Sequence, residues 1–278
     1  MPELPEVETI KKELNVIIGK KIADVIVNNA KVIRGMDKEE FIKELKNVKI
    51  KNIIRKGKLL ILELSSGKDL TIHLKMTGQL VYPSTRLPAR QAALRTSPSK
   101  VARVSFKFFD NTILDFNDAR LFGELKIVDN WQDLKFIKEL GPEPFNIDSK
   151  KFRQILAKRK TKIKVLLMDQ KFISGIGNLY ANEALFRAKI DPCRPANSLS
   201  DKEKDLLFKE IKNTLSEAIK HKGSSVDNYV QVSGKPGNYA KYHKVYDRKG
   251  EKCLKCKGII KRIVLSGRGT YLCSICQK

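Results

Sequence analysis

Nowhere does this chain approach the roughly 18 consecutive apolar residues that a membrane-spanning helix needs, so its sequence offers no transmembrane segment. Nor is a secretory leader expected. The first residues, Met-Pro-Glu-Leu-Pro-Glu-Val-Glu, are acidic where a leader is basic and then apolar, which places the chain in the cytosol. Cysteine is scarce and odd in number, five in 278 residues, and that excludes a fully paired disulfide scaffold. Internal repeats and low-complexity tracts are absent. Acidic residues are outnumbered, 31 against 56 Lys and Arg, and the net charge of +25 is far beyond what solubility requires. Such an excess points to a polyanionic partner, with nucleic acid foremost.

What is present divides into two patterns, as the length suggests. Val7, Ile10, Leu14, Ile17 and Ile18 recur at helical spacing after a Pro- and Glu-rich first turn, with Gly19 as the helix stop. From about residue 20 to 129 short apolar runs follow, at 23–27, 48–54, 59–64, 70–74, 104–109 and 113–116. Turn chemistry at Lys56-Gly57, Ser66-Gly67 and Asp110-Asn111 joins them as antiparallel strands of a β-sandwich or flattened barrel. The stretch 83–100, rich in Pro and Arg, reads as a mobile basic surface excursion. Around Leu140-Gly141-Pro142-Glu143-Pro144 the pattern changes, and helices are predicted over 150–168, 179–188 and 201–222, the last with Ser200 and Glu203 as a capping box. The predicted organisation is α+β: a β-sandwich domain with an N-terminal helix over 1–135, a linker over 136–149, a helical domain over 150–242 and a cysteine module over 243–278.

Cys253-x2-Cys256 and Cys273-x2-Cys276 stand 16 residues apart, the spacing of two knuckles around one zinc. Four thiolates leave no open coordination position, so this zinc is expected to be structural. Between the pairs, Lys261, Arg262 and Arg268 beside two glycines read as a basic hairpin tip, although Arg268 alone is equally an exposed cation without a task. Cys193, between Pro192 and Arg194, reads as an inert small residue.

Two further features have a bland and a sharp reading. Gly175-Ile176-Gly177-Asn178 precedes a helix; it is either a tight turn or a place where free N–H groups and a helix dipole meet one phosphate. Met1-Pro2 precedes acids in a first turn, which is ordinary helix-start chemistry. Removal of Met1 would also leave Pro2 with a free secondary amine, and an α-amino group near pKa 8 is partly neutral and nucleophilic at pH 7. Attack by such an amine on a sugar C1′ gives an iminium that has no N–H proton to lose, an obligatory electron sink. Glu3 and, one turn on, Glu6 stand close in sequence for proton transfer.

Residues 2–9 (Pro-Glu-Leu-Pro-Glu-Val-Glu-Thr), His73-Leu74-Lys75-Met76-Thr77-Gly78, Leu140-Gly141-Pro142-Glu143-Pro144, Gly175-Ile176-Gly177-Asn178-Leu179-Tyr180-Ala181 and the cysteine module together resemble the bacterial formamidopyrimidine-DNA glycosylases over nearly the whole chain. Leu4, where the endonuclease VIII branch usually has Gly, favours the oxidised-purine branch. The resemblance implies a β-sandwich, a helix-two-turn-helix unit and a zinc finger. It implies glycosylase and apurinic/apyrimidinic lyase activity on 8-oxoguanine and formamidopyrimidines in duplex DNA, with one structural zinc, no small-molecule cofactor and a monomer working at the nucleoid. Pro2 would be the Schiff-base nucleophile, Glu3 the acid at the ring oxygen, Glu6 an organiser of the pocket and Lys58 the catalytic-site lysine. His73, Asn178 and Arg268 would grip phosphates, and Met76, Arg120 and Phe122 would enter the space left by the extruded nucleotide. Departures from the pattern are Leu121, where a basic residue is usual, the absence of His before Val101, the long 83–100 stretch, and Asp247, where Gly is common. Alternatives are an endonuclease VIII-like enzyme for oxidised pyrimidines and a non-enzymatic zinc protein that binds nucleic acid.

Overall fold

In α1 (Leu4–Leu14) the apolar residues Leu4, Val7, Ile10 and Leu14 share one face and are fully buried. At about 1.5–3 kcal/mol for each large aliphatic side chain, that face outweighs the weak intrinsic helicity of so short a segment. A 3-10 turn follows, and Gly19, at φ +86°, turns the chain out of it. The computed structural model describes residues 1–82, 101–226 and 228–278; the stretch 83–100, expected as a basic excursion, lies outside them.

Ten strands are described: β1 (Ile22–Val27), β2 (Ile50–Lys56), β3 (Leu59–Leu64), β4 (Asp69–His73), β5 (Gly78–Val81), β6 (Ala102–Phe108), β7 (Ile113–Asp118), β8 (Glu124–Val128), β9 (Lys261–Leu265) and β10 (Arg268–Leu272). The first eight form two four-stranded antiparallel sheets, β1-β6-β7-β5 and β2-β3-β4-β8. Both sheets, α1 and α2 (Lys38–Leu45) contribute to one core. Positive φ at Gly57 (57°), Gly67 (88°) and Asn111 (63°) makes the expected hairpin turns. The pattern of short runs missed α2, signalled by Asp37 capping Glu40 N (2.8 Å) and by buried Phe41 and Leu45, and also missed β5 and β8.

The chain divides by its contacts into two units, Met1–Lys138 with His221–Asn238, and Glu139–Lys220 with Tyr239–Lys278. Segment 221–238, read from sequence as part of the helical domain, packs with the first unit. Tyr229 and Val232 join its core, Val232 N donates to Glu13 Oε2 (2.9 Å), and Tyr82 N donates to Val232 O (2.8 Å).

The first unit ends with a single helical turn, α3 (Lys135–Lys138), and the second contains α4 (Ser149–Ala157), α5 (Ile163–Met168), α6 (Asn178–Arg187) and α7 (Asp201–Lys220). The single helix expected over 150–168 is therefore two. Between them, residues 158–162 carry no apolar side chain, and the chain turns there to pair elsewhere: Ala196 N donates to Thr161 O (2.9 Å) and Ile163 N to Arg194 O (2.8 Å). The capping box of α7 is formed, Ser200 N to Glu203 Oε2 at 2.7 Å and Glu203 N to Ser200 Oγ at 3.3 Å. Among the described residues, no helix is long and apolar enough to cross a membrane.

Gly141 and Pro142 brace the chain before α6. Gly141 N donates to Gln170 O (2.8 Å), and Ser174 N donates to Pro142 O (3.0 Å). A Cβ on Gly141 would stand 2.5 Å from the Phe172 carbonyl carbon. Backbone cannot swing aside as a side chain does, so Gly141→Ala is expected to lose about 1–3 kcal/mol, read as a lower midpoint in urea denaturation; an unchanged midpoint would show that this approach is not tight.

Candidate functional site

The N-terminal turn is closed by one carboxylate. Glu6 Oε2 accepts from Glu3 N (2.8 Å) and Glu6 Oε1 accepts from Ser224 N (2.9 Å). Pro2, Glu3 and Glu6 are all buried, whereas Met1 is half-exposed. Gly223, at φ +76°, leaves room for this contact, because a Cβ there would stand 2.9 Å from Glu6 Oε1. Two residues along α1 from Glu6, Glu8 accepts from Arg55 Nε (2.8 Å), and Arg55 Nη1 donates to Gly57 O (2.9 Å). Arg55 thus ties the β2-β3 turn that carries Lys58 to the first helix.

Pairing of Leu59 with His73 puts Lys58 beside the end of β4. His73 Nδ1 accepts from Lys75 N (3.0 Å), so the neutral ring carries its proton on Nε2. Burial, with the Lys75 and Lys58 ammonium groups adding to it, pushes the imidazole down to about 3. Lys75 itself holds φ +50°, which turns the chain sharply toward Met76.

Met76, Arg120 and Phe122 form one protruding cluster. Arg120 Nη1 lies 3.6 Å from Met76 Sδ, and its guanidinium carbon sits 4.7 Å from the Phe122 ring centre. Met76 and Phe122 are 43% and 48% exposed, so the sequence alternative of core residues does not hold. Buried Asp118 organises the loop beneath them: its carboxylate accepts from Gly123 N (2.6 Å), Arg120 N (3.2 Å) and the Thr77 hydroxyl. Leu121, between the two exposed residues, takes φ +58° and packs partly against the core instead of offering a charge.

In the second unit, Asn178 is the first residue of α6, after Gly177 as N-cap. The free N–H groups expected of the glycine loop are not all free. Gly175 N donates to Gln170 Oε1 (2.9 Å), and Gln170 Nε2 donates to Ile176 O (2.8 Å) and Met168 O (2.9 Å), so Gln170 splints the loop. Arg268 opens β10 and is exposed. The residues that follow it are held one after another. Buried Lys164 donates to Gly269 O (2.9 Å) and Thr270 Oγ1 (2.7 Å), and Tyr271 N donates to Asn182 Oδ1 (2.8 Å), one turn beyond Asn178. Sequence reading missed Lys164, Gln170, Arg55 and Asp118. None carries a motif, and only Asn182, at i+4 from Asn178, offered a signal.

The four cysteine sulfurs lie within 4.8 Å of one another, with Cys253 to Cys276 at 3.8 Å and Cys256 to Cys273 at 3.4 Å. A disulfide would need about 2.05 Å, whereas zinc bonds of about 2.3 Å in a tetrahedron separate sulfurs by about 3.8 Å. The donor set fits one zinc with no open position. Gln277 secures the second knuckle, accepting from Cys273 N (2.9 Å) and donating to Ile190 O (2.8 Å). Asp247, where Gly was expected, takes φ +60°, a conformation that Asp tolerates better than most side chains.

Residues 1–125 match the Formamidopyrimidine-DNA glycosylase N-terminal domain, 140–230 the Formamidopyrimidine-DNA glycosylase H2TH domain, and 250–278 the zinc finger found in FPG and IleRS. A Formamidopyrimidine-DNA glycosylase of Pelotomaculum thermopropionicum is 40% identical over 283 residues, covering all of this chain and 99% of that protein. The chain belongs to the formamidopyrimidine-DNA glycosylase family. Among solved structures, a Lactococcus lactis FPG variant in complex with a Fapy-dG containing DNA superposes with TM-score 0.88 at 35% identity over the whole of both chains. MutM (FPG) from Thermus thermophilus gives TM-score 0.85 at 32% identity over 99% of this chain and 98% of that one. The β-sandwich, the H2TH unit and a single structural zinc in the four-cysteine module are those of this family.

The state of His73 has a consequence for stability. Its imidazole stays neutral in the fold down to about pH 3, but in the unfolded chain it takes a proton near 6.5. The unfolded state therefore binds more protons between these values. The contribution is fully present above pH 6.5 and is lost progressively as pH falls toward 3. His73→Asn should flatten the decline of urea stability between pH 6.5 and 4; a decline as steep as that of the parent protein would show that the ring is not held neutral.

Proposed function

We propose that this chain is a bifunctional DNA glycosylase and apurinic/apyrimidinic lyase of base excision repair that removes oxidised purines, 8-oxoguanine and formamidopyrimidines, from duplex DNA at the nucleoid. The observation that carries the reading is the buried N-terminal turn, in which Pro2 and Glu3 precede α1 and Glu6 accepts from Glu3 N (2.8 Å). Family membership supports it, as do relatives whose structures hold Fapy-dG and abasic-site DNA.

With Met1 removed, the Pro2 nitrogen attacks C1′ of the damaged nucleotide, the base departs with the electron pair of the glycosidic bond, and the proton of the newly formed ammonium passes to the departing base. Glu3 protonates the ring oxygen as the sugar opens, leaving an iminium between Pro2 and C1′. Since that nitrogen has no proton to lose, the iminium acidifies C2′–H, and elimination expels the 3′ phosphate and then the 5′ phosphate. Lys58 supplies positive charge beside the reacting sugar. Met76, Arg120 and Phe122 fill the gap left by the extruded nucleotide, which offsets part of the few kcal/mol that unstacking costs. His73 and Asn178 donate to phosphates as neutral groups, and Arg268 does so as a cation.

Borohydride added during reaction with an 8-oxoguanine duplex should trap a covalent adduct, mapped by mass spectrometry to Pro2. A single residue added before Pro2 should abolish adduct and strand cleavage while leaving DNA binding within about threefold, since the phosphate contacts that dominate affinity are untouched. An adduct on another residue would reject the nucleophile. Arg268→Ala should lower the slope of log affinity against log salt by about 0.9, one phosphate's worth. His73→Asn should weaken binding and leave that slope in place, because a neutral donor releases no counterion. Equal slope losses in both variants would overturn this division.

A further inference from the structure

Alternation along β4 and β8 sends Leu70, Ile72, Leu125 and Ile127 into the core and leaves Thr71, His73, Glu124 and Lys126 on the opposite face of the sheet. Thr71 pairs with Lys126 and His73 with Glu124, so the four side chains form a two-by-two patch. Arg34 joins it because its N–H donates to Leu125 O (2.9 Å), next to the Ile33–Leu125 bridge, and Lys75 joins from the turn after β4. These six residues line a cavity of about 460 Å3 whose far wall includes Phe136.

The charges in this cavity do not balance. Glu124 is the one carboxylate among its lining residues, and it faces both Lys75 Nζ (3.2 Å) and Arg34 Nε (4.0 Å). Lys126 has no ion-pair partner among the described residues, and no acceptor among them is recorded for His73 Nε2–H. Three cations against one carboxylate leave a concave surface with a surplus of two positive charges and two unspent donors. A loose surface lysine is an ordinary solvated group. A half-buried one in a concave wall, beside two more cations, is held against repulsion, and an anion relieves it.

We propose that Lys126 and Arg34 hold a phosphate of the DNA strand beyond the one that His73 meets, so that the outer face of the β2-β3-β4-β8 sheet extends the duplex-binding track. The inference rests on the DNA-repair reading above. Thr71, two residues before His73, and its partner Lys126, two residues after Glu124, lie about 6.6 Å farther from the turn that carries Met76. The order along β4 is then wedge, neutral donor, cation pair, running away from the lesion. Glu124 holds the Arg34 and Lys75 side chains in place and leaves Lys126 uncompensated.

The test compares Lys126→Gln, Lys126→Arg and Arg34→Gln on two lesion duplexes, one extending well past the lesion on both sides and one trimmed close to it. On the long duplex each Gln variant should lose about three- to fivefold in affinity at low salt and about 0.9 in salt slope, and Lys126→Arg should keep both. On the trimmed duplex all should bind like the parent. Single-turnover excision at saturating enzyme should stay unchanged. A parental slope on the long duplex, or equal losses on both duplexes, overturns the proposal. Displacement of inorganic tripolyphosphate by the lysine side chain's removal, with DNA affinity untouched, would assign the cavity to a free anion and overturn it as well. If the parent protein itself leaves the lesion duplex intact, the functional reading fails first, and the two failures are distinguishable.

Discussion

The Glu6 carboxylate is the joint on which the N-terminal turn depends. Its two oxygens reach a backbone N–H at the start of α1 and another in segment 221–238, the latter on a residue 218 positions from Glu6 in the chain. A carboxylate with both oxygens occupied by backbone donors cannot rotate without breaking a charge-assisted bond. That rigidity would serve the N-terminal nucleophile proposed above, because a chain end is otherwise the least ordered part of a domain. The apolar face of α1 holds the helix down, Arg55 ties Glu8 to the β2-β3 turn, and Glu6 fixes the entry to the helix. The proposed chemistry needs all three, since a misplacement of about 1 Å at a reacting amine costs orders of magnitude in rate.

Legibility in the sequence followed how local each cause is. Hairpin turns were readable because Gly57, Gly67 and Asn111 must take positive φ. The α7 boundaries were readable from a capping box and a period of 3.6, and the zinc knuckles from ligand spacing alone. Beyond that reach lay whatever depends on distant partners. The break between α4 and α5 arises because 159–164 pairs with 192–197, and nothing within the run itself announces a strand-like partner. Segment 221–238 reads as an appendage of the preceding helix, yet Tyr229 and Val232 complete the sandwich core. In the site, motif residues were named in advance, whereas the groups that hold them were not: Asp118 beneath the wedge, Gln170 behind the glycine loop, Lys164 under β10. Such supports need only a donor or acceptor at the right point in space, and a sequence pattern does not encode that.

Leu121 and Asp247 show how departures from a family pattern become intelligible once the backbone is known. Both take positive φ, near +60°. At Asp247 the local conformation is one that Gly adopts without cost and Asp at modest cost, so the exchange is tolerated by the turn. At Leu121 the side chain turns inward onto the core, so the charge that a basic residue would have offered is replaced by packing. Arg120 and Phe122 on either side keep their exposure, and the loop's shape is held by Asp118 and Thr77.

The charge surplus itself divides into two kinds of contact. Most of the 56 basic residues act at long range, through a field that attracts any polyanion and weakens as salt rises. A neutral His73 does something different. Held uncharged by burial and by Lys75 and Lys58, it contributes little to attraction at a distance, but it offers a donor with one fixed direction. In the proposed function, cations bring the duplex to the surface without caring about register, and a neutral donor on a rigid strand, as His73 is, would define where a phosphate stops. An enzyme that must search undamaged DNA gains from keeping these apart: diffuse charge permits sliding, while directional donors act fully only when a distorted backbone places its phosphate in line.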